Sequence, residues 1–214
     1  MRTIVSLTSW PPRIDGAIRT IRSLLVQTVR PDSVELNLAE PQFPERKLPT
    51  DIAELEACGL LNINWVPKDT NVFKKTAPVL KKYHGEGFVL LSADDDAEYS
   101  PTYIGRMLSE LGDYDACCPY PGVVGYCLAL RSRVVTPEYW ERVTPELVEC
   151  GIGDTYIWHY LNKVKARCRW SCGDDIKGLI RGFAANVTPN SERIGGYTKE
   201  RCELAAKLSR EALK

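Results

Sequence analysis

The sequence predicts an α/β protein, with a mostly parallel central sheet flanked by helices and a small antiparallel element in its second half. Three observations carry this. Strand-like and helix-like stretches alternate through the first hundred residues. One of the strands, Phe88 to Leu91, is a continuous apolar run of the kind buried on both faces of a parallel sheet. From Asp113 to Arg131 the texture changes to short apolar runs separated by Pro-Gly and Gly, which reads as a hairpin or meander.

Thr3 to Thr8 is the first strand, and Trp10-Pro11-Pro12 cannot continue it because proline fixes φ and lacks a donor. Asp15 is then the expected N-cap of a helix running to Gln27, with Ile18, Ile21, Leu24 and Leu25 on one face. Val34 to Leu38 completes a parallel β-α-β unit. The proline-rich loop from Glu40 to Pro49 leads to a short helix near Asp51 to Ala57 and a third strand, Leu61 to Val66. A helix from Val72 to Tyr83, kinked at Pro78, precedes the Phe88 strand.

Beyond it, Pro101 suits the first turn of a helix ending near Leu111. Pro137 to Arg142 reads as a short helix, and Gly153-Asp154 opens another with Tyr156, Ile157, Tyr160 and Leu161 on one face. The tail from Arg167 to Asn190 is irregular, and a charge-rich helix closes the chain from Thr198 to Lys214. The expectation is one domain over residues 1–214, a ligand-binding half (1–100) followed by a second half (101–214).

Bulk composition narrows the function classes. Lys plus Arg and Asp plus Glu are both 28, which argues against a nucleic-acid or membrane-surface partner held by bulk charge. No window approaches the roughly 20 apolar residues that span a bilayer, and the N-terminus lacks the pattern of a signal peptide. The eight cysteines form no C-x-x-C pair, and Cys168, Cys172 and His159 match no standard zinc spacing. Reduced thiols in a soluble, cytoplasmic protein are the expectation. His84 and His159 read as ordinary core or surface side chains.

The chemistry concentrates at Asp94-Asp95-Asp96, directly after the buried strand. Adjacent carboxylates repel one another unless a cation lies between them, and the carboxyl ends of strands are where open α/β sheets bind ligands. Hard divalent ions favour such oxygens, Mg²⁺ in particular when it is shared with phosphates. In an extended backbone Asp94 and Asp96 would share one side and Asp95 would take the other. The competing reading is a solvated acidic turn.

The segments SLTSWPPRI, SLLVQTVRPD, NINWVPKDTNVFKK, LLSADDDAEYSP and GDTYIWHYL, in that order between residues 3 and 165, together resemble the nucleotide-sugar glycosyltransferases of the Rossmann-like GT-A fold, near glycosyltransferase family 2. The resemblance implies a metal-dependent transfer of a sugar from a nucleoside diphosphate sugar, UDP by family habit, to a hydroxyl of a glycan or other acceptor, with inversion. The triplet would be the D-x-D motif, with Asp96 and Asp94 holding Mn²⁺ or Mg²⁺ and Asp95 beside them at the donor. Thr8, Ser9 and Arg13 would line the nucleoside and phosphate pocket, and Asp69 would contact base or ribose. One of Lys74 and Lys75 would neutralise the diphosphate or hold a triplet carboxylate, the other being a solvated helix residue. Gly125, in GVVGY (122–126), would lie against the donor sugar, and Asp154 would be the catalytic base, unless it serves as an N-cap. Gly153 departs from the family pattern, which often places an acidic residue there. A nucleotidyltransferase would carry a glycine-rich basic loop where this chain has Trp-Pro-Pro; a catalytically silent carbohydrate-binding domain is the other alternative.

Overall fold

A computed structural model describes residues 1–119, 127–170, 174–182 and 198–214. In chain order its elements are β1 (Arg2–Thr8), α1 (Ile14–Leu25), β2 (Ser33–Ala39), α2 (Thr50–Ala57), β3 (Asn62–Val66), α3 (Ala77–Lys82), β4 (Phe88–Ser92), β5 (Ala97–Tyr99), α4 (Tyr103–Leu111), β6 (Ala116–Cys118), β7 (Ala129–Arg131), α5 (Glu138–Glu141), α6 (Pro145–Cys150), α7 (Gly153–Lys163), β8 (Cys168–Trp170), α8 (Asp174–Lys177), β9 (Ile180–Gly182) and α9 (Lys199–Ala212). Seven strands form one sheet in the order β3-β2-β1-β4-β7-β6-β8. The first four are parallel, β7 runs antiparallel to both β4 and β6, and β8 returns parallel to β6. A separate two-stranded sheet pairs β5 antiparallel with β9.

The order matters for the site. The chain winds outward from β1 to β3 and then returns to place β4 on the other side of β1, so β1 and β4 flank the point where the winding reverses. Their register sets Ser6 beside Ser92, which brings the loops that follow both strands together at the same end of the sheet. As the apolar run predicts, every residue of β4 is buried. Val89 and Leu91 pack with Val5, Leu7, α1 and α4 on one face; Phe88 and Leu90 pack with Ile4, α3, α5 and α7 on the other.

On β1, β2 and β3 the second face is different. Ser6, Glu35, Asn37, Asn62 and Asn64 share it, and α3 covers it through polar contacts as well as apolar ones. Glu35 is 0 % exposed and stays ionised because Ser33, Asn62, Asn64, Lys82 and Tyr83 all donate to its carboxylate. Burial alone would raise its pKa; those donors outweigh it and bring the carboxyl down to about 2.

Several local expectations change. Arg13, not Asp15, takes the N-cap position of α1, and no side chain caps that end; Asp15 lies in the first turn. The expected helix from Val72 to Tyr83 is a 3₁₀ turn over Asn71–Lys75 followed by the short α3, in which Pro78 sits near the start, where its missing N–H costs nothing. The sequence pattern does not reveal α6, yet its ends are well formed: Thr144 accepts from the Leu147 N–H at 3.4 Å, Pro145 occupies the first turn, and Gly151 closes it at φ 71°. Cys58 and Cys202 are exposed, whereas Cys117, Cys118, Cys127 and Cys150 are the buried thiols the composition suggests.

The depressed Glu35 pKa makes a testable statement. A carboxyl titrating lower in the folded state than in the unfolded chain stabilises the fold above the unfolded pKa, and that stabilisation is lost as pH falls toward the folded value. Urea unfolding should therefore show stability dropping between about pH 5 and pH 2, with Glu35 contributing on the order of 3 kcal/mol. The Glu35→Gln variant should be less stable at neutral pH and show a flatter acid limb; an unchanged limb would contradict this account.

Candidate active site

The triplet does not continue β4 as extended chain. Asp95 and Asp96 form a turn that feeds β5, and Asp94 donates its N–H to the Tyr99 hydroxyl at 2.8 Å. The side-by-side alternation expected of an extended backbone is therefore broken. Asp94 faces Lys75, while Asp95 and Asp96 converge on one guanidinium, with Arg13 Nη2 2.5 Å from Asp95 Oδ1 and 2.6 Å from Asp96 Oδ2. Ser9 Oγ donates to the other Asp95 oxygen at 2.6 Å. The repulsion that a bare triplet would suffer is thus offset first by the protein's own cations, each delivered by a different loop.

Arg13 and Asp95 are both buried, and burial pushes the Asp95 carboxyl up to about 6 against the pull of Arg13 and Ser9. Asp96 is the open member, with 43 % of its side chain exposed. Three carboxylates against two paired cations leave the cluster with hard oxygen donors in excess of its positive charge, which fits a divalent ion. Among the described residues no three His, Cys, Asp or Glu side chains converge to enclose an ion by themselves. An ion here would have to take further ligands from a bound molecule, the usual habit of Mg²⁺.

Neither Lys74 nor Lys75 is the solvated helix residue expected of one of them. Lys74, 1 % exposed, pairs with Asp69 and reaches Gln42 Oε1 at 3.3 Å; Lys75 pairs with Asp94. A 3₁₀ turn advances by about 120° per residue, and that angle sends adjacent side chains to carboxylates on different strand ends. Asp69 organises the turn itself, accepting from the Asn71 N–H at 2.9 Å and from Gln42 Nε2 at 2.8 Å, while Asn71 adopts φ 52°, a left-handed conformation asparagine tolerates. Gln42 belongs to this cluster without any sequence signal, since nothing in a proline-rich loop marks it. Thr8 Oγ1 is turned toward β2, donating to the Asn37 carbonyl at 2.7 Å.

Asp154 stands at the N-terminus of α7 but does not cap it; Ile152 holds the N-cap position and Asp154 lies in the first turn, partly exposed. It is close enough to Lys75 that, although burial alone would lower that ammonium's pKa, the charges of Asp94, Asp154 and Asp95 raise it instead. Gly153 explains this proximity. A Cβ at residue 153 would come within 2.8 Å of Val72 Cγ2, so any larger residue there would force Val72 or the start of α7 to shift away from the 3₁₀ turn that carries Lys75. An acidic side chain at this position would have to displace Val72. Gly125 lies outside the described residues. Trp158, one helical turn beyond Asp154 on the same helix, is an exposed large aromatic not singled out from sequence.

The sequence matches no family model and no curated protein. Solved structures do match. The TarS 1–349 fragment of S. aureus in complex with UDP superposes with a TM-score of 0.60 over 99 % of this chain and 65 % of that one, at 12 % identity. The mannosyltransferase PcManGT from Pyrobaculum calidifontis, in complex with GDP-Man and Mn²⁺, gives 0.55 over 81 % of this chain and 55 % of that one, at 16 % identity.

The chain has the GT-A glycosyltransferase fold. It spans about two thirds or less of the length of these GT-A relatives. Among the described residues no helix is long and apolar enough to cross a membrane.

Two substitutions test how this cluster is built. Arg13→Ala leaves Asp95 buried without its cation, and should cost about 3–5 kcal/mol in urea unfolding. Gly153→Ala should cost about 1–3 kcal/mol through its collision with Val72, and Gly153→Ala combined with Val72→Ala should cost less than the two single changes summed. Additive costs would show that the close approach of α7 to the turn is not the reason for the glycine.

Proposed function

We propose that this chain transfers a sugar from a nucleoside diphosphate sugar to an acceptor hydroxyl. The observation that carries the reading is the arrangement at the β1/β4 ends, where two pinned cations and an open carboxylate come together and a separate carboxylate on α7 lies close enough to act on one of those cations. Buried, specifically paired charge of this kind is a functional-site signal and weak evidence for stability. The fold's relatives support a nucleotide-sugar donor, since those structures hold UDP in one case and GDP-Man with Mn²⁺ in the other.

In this reading Asp96 and Asp94 would hold a Mn²⁺ or Mg²⁺ ion, which would supply Lewis-acid compensation of the negative charge on a leaving diphosphate. Lys75 and Arg13 face the same phosphates, prepositioned by Asp94, Asp95 and Asp96 so that little reorganisation accompanies departure. Ser9, Asp95 and Thr8 border the ribose side, and Asp69, held with Lys74 and Gln42, offers polar groups to the base, with uridine the first choice. Asp154 takes the proton of the acceptor hydroxyl as that oxygen attacks the anomeric carbon from the face opposite the leaving group, so a single displacement inverts the configuration.

The decisive experiment is a thermal-shift and turnover screen of UDP- and GDP-sugars with and without Mn²⁺. One donor should raise the melting temperature in a Mn²⁺-dependent way, and Asp96→Ala should remove that shift. Asp154→Asn should lower transfer by about a thousandfold or more while nucleotide binding by calorimetry stays within about twofold of the parent. Loss of binding in Asp154→Asn would take that residue out of the base role, and binding without transfer for any donor would indicate a silent sugar-nucleotide-binding domain.

A further inference from the structure

The polar strip on the α3-facing side of the sheet contains a chain of hydrogen bonds with a fixed direction. Lys82 Nζ donates to Asn64 Oδ1 at 2.9 Å, Asn64 Nδ2 to Asn37 Oδ1 at 3.1 Å, Asn37 Nδ2 to Ser6 Oγ at 2.9 Å, and Ser6 Oγ to the carbonyl oxygen of Lys75 at 2.6 Å. An ammonium can only donate and a backbone carbonyl can only accept. The two ends therefore force the orientation of both amides and of the hydroxyl between them. Links polarised in one sense reinforce each other, and Asn37 and Ser6, both fully buried, keep water from competing.

The chain starts and finishes on one segment. Lys82 ends α3 and Lys75 ends the 3₁₀ turn that precedes it, so the strip fastens both ends of residues 75–82 to β1, β2 and β3. Glu35 anchors the outer end by accepting from Lys82, Asn64 and Tyr83 at 3.0, 2.8 and 2.8 Å. Apolar packing could hold the helix against the sheet, but it is non-directional and would not choose the rotation of the Lys75 peptide. A hydrogen bond to that carbonyl does.

We infer that Ser6, Asn37, Asn64 and Glu35 are positioning residues that aim the Lys75 ammonium at Asp94. Ser6 makes the last link, 2.6 Å from the Lys75 carbonyl and on the strand that also leads to Ser9 and Arg13. This role rests on the proposed transfer reaction only for its catalytic consequence; the aiming of Lys75 stands on geometry alone.

The test has two arms. Competitive labelling of the intact protein with acetic anhydride, read by peptide mass spectrometry, reports how firmly Lys75 is held. Ser6→Ala should raise the labelling rate of Lys75 about fivefold or more relative to exposed Lys68, and Ser6→Thr, which keeps the hydroxyl, should restore it. Should Ser6→Ala fail to fold, Asn64→Ala, at the less buried end of the same chain, takes its place with the same expectation. In the second arm, Ser6→Ala should lower kcat with the best sugar nucleotide about tenfold at nearly constant donor KM, and should lower it no further in a Lys75→Met background. Labelling within twofold of the parent, or kcat losses that multiply in the double variant, would overturn the inference. If no donor turns over in the parent protein, the transfer reading fails and the labelling arm still decides the role of Ser6.

Discussion

Everything at the β1/β4 ends depends on how three consecutive carboxylates are kept from repelling one another. The answer is a partition between two cations: Arg13, arriving from the loop after β1, takes Asp95 and Asp96, and Lys75, arriving from the 3₁₀ turn, takes Asp94. Desolvating these groups costs energy that an apolar cluster of equal volume would not, so their retention says little about stability. Its effect is to lock three separate loops into one electrostatic unit at the winding reversal between β1 and β4.

That arrangement makes the sheet two-sided in a chemical sense. One face is an ordinary core of Val5, Leu7, Val34, Leu36 and Leu38 against α1. The other is apolar beneath β4 and polar beneath β2 and β3, and the segment carrying both lysines spans the boundary. Phe73, Val79 and Leu80 supply its adhesion; Asn37, Asn64 and Ser6 supply its orientation. Separating these tasks lets a charged side chain be aimed without excavating the core beneath it.

The parts of this organisation visible in the residue order are those with long, regular patterns. The apolar run of β4 and the alternation of strands and helices through residue 92 follow from hydrophobic period, whereas the antiparallel β6–β7 pair, three residues on each strand, is marked only by the Pro-Gly and Gly that separate its runs. The three-residue strands β5, β8 and β9 are too short to express a period, and α6 is likewise a six-residue helix, though Thr144-Pro145 and Gly151 bracket it. At the site, the acidic triplet and its neighbours are conspicuous as residue types. Their partners are not: which lysine meets which aspartate depends on the choice between 3₁₀ and α geometry over five residues, and Gln42 enters from a loop with no pattern at all. Likewise Gly153 looks like a missing acidic residue until Val72 is seen to occupy the space.

The turn over Asn71–Lys75 has one more implication, for how this protein can change over time. Two neighbouring lysines serve two carboxylates on different strand ends, so their roles are assigned by rotation about the turn's axis and nothing else. Deleting or inserting one residue there would swing the pair by about a third of a revolution, unseating both at once. Point replacements in the neighbouring loops can be absorbed one at a time; this stretch must conserve its length before it conserves its letters.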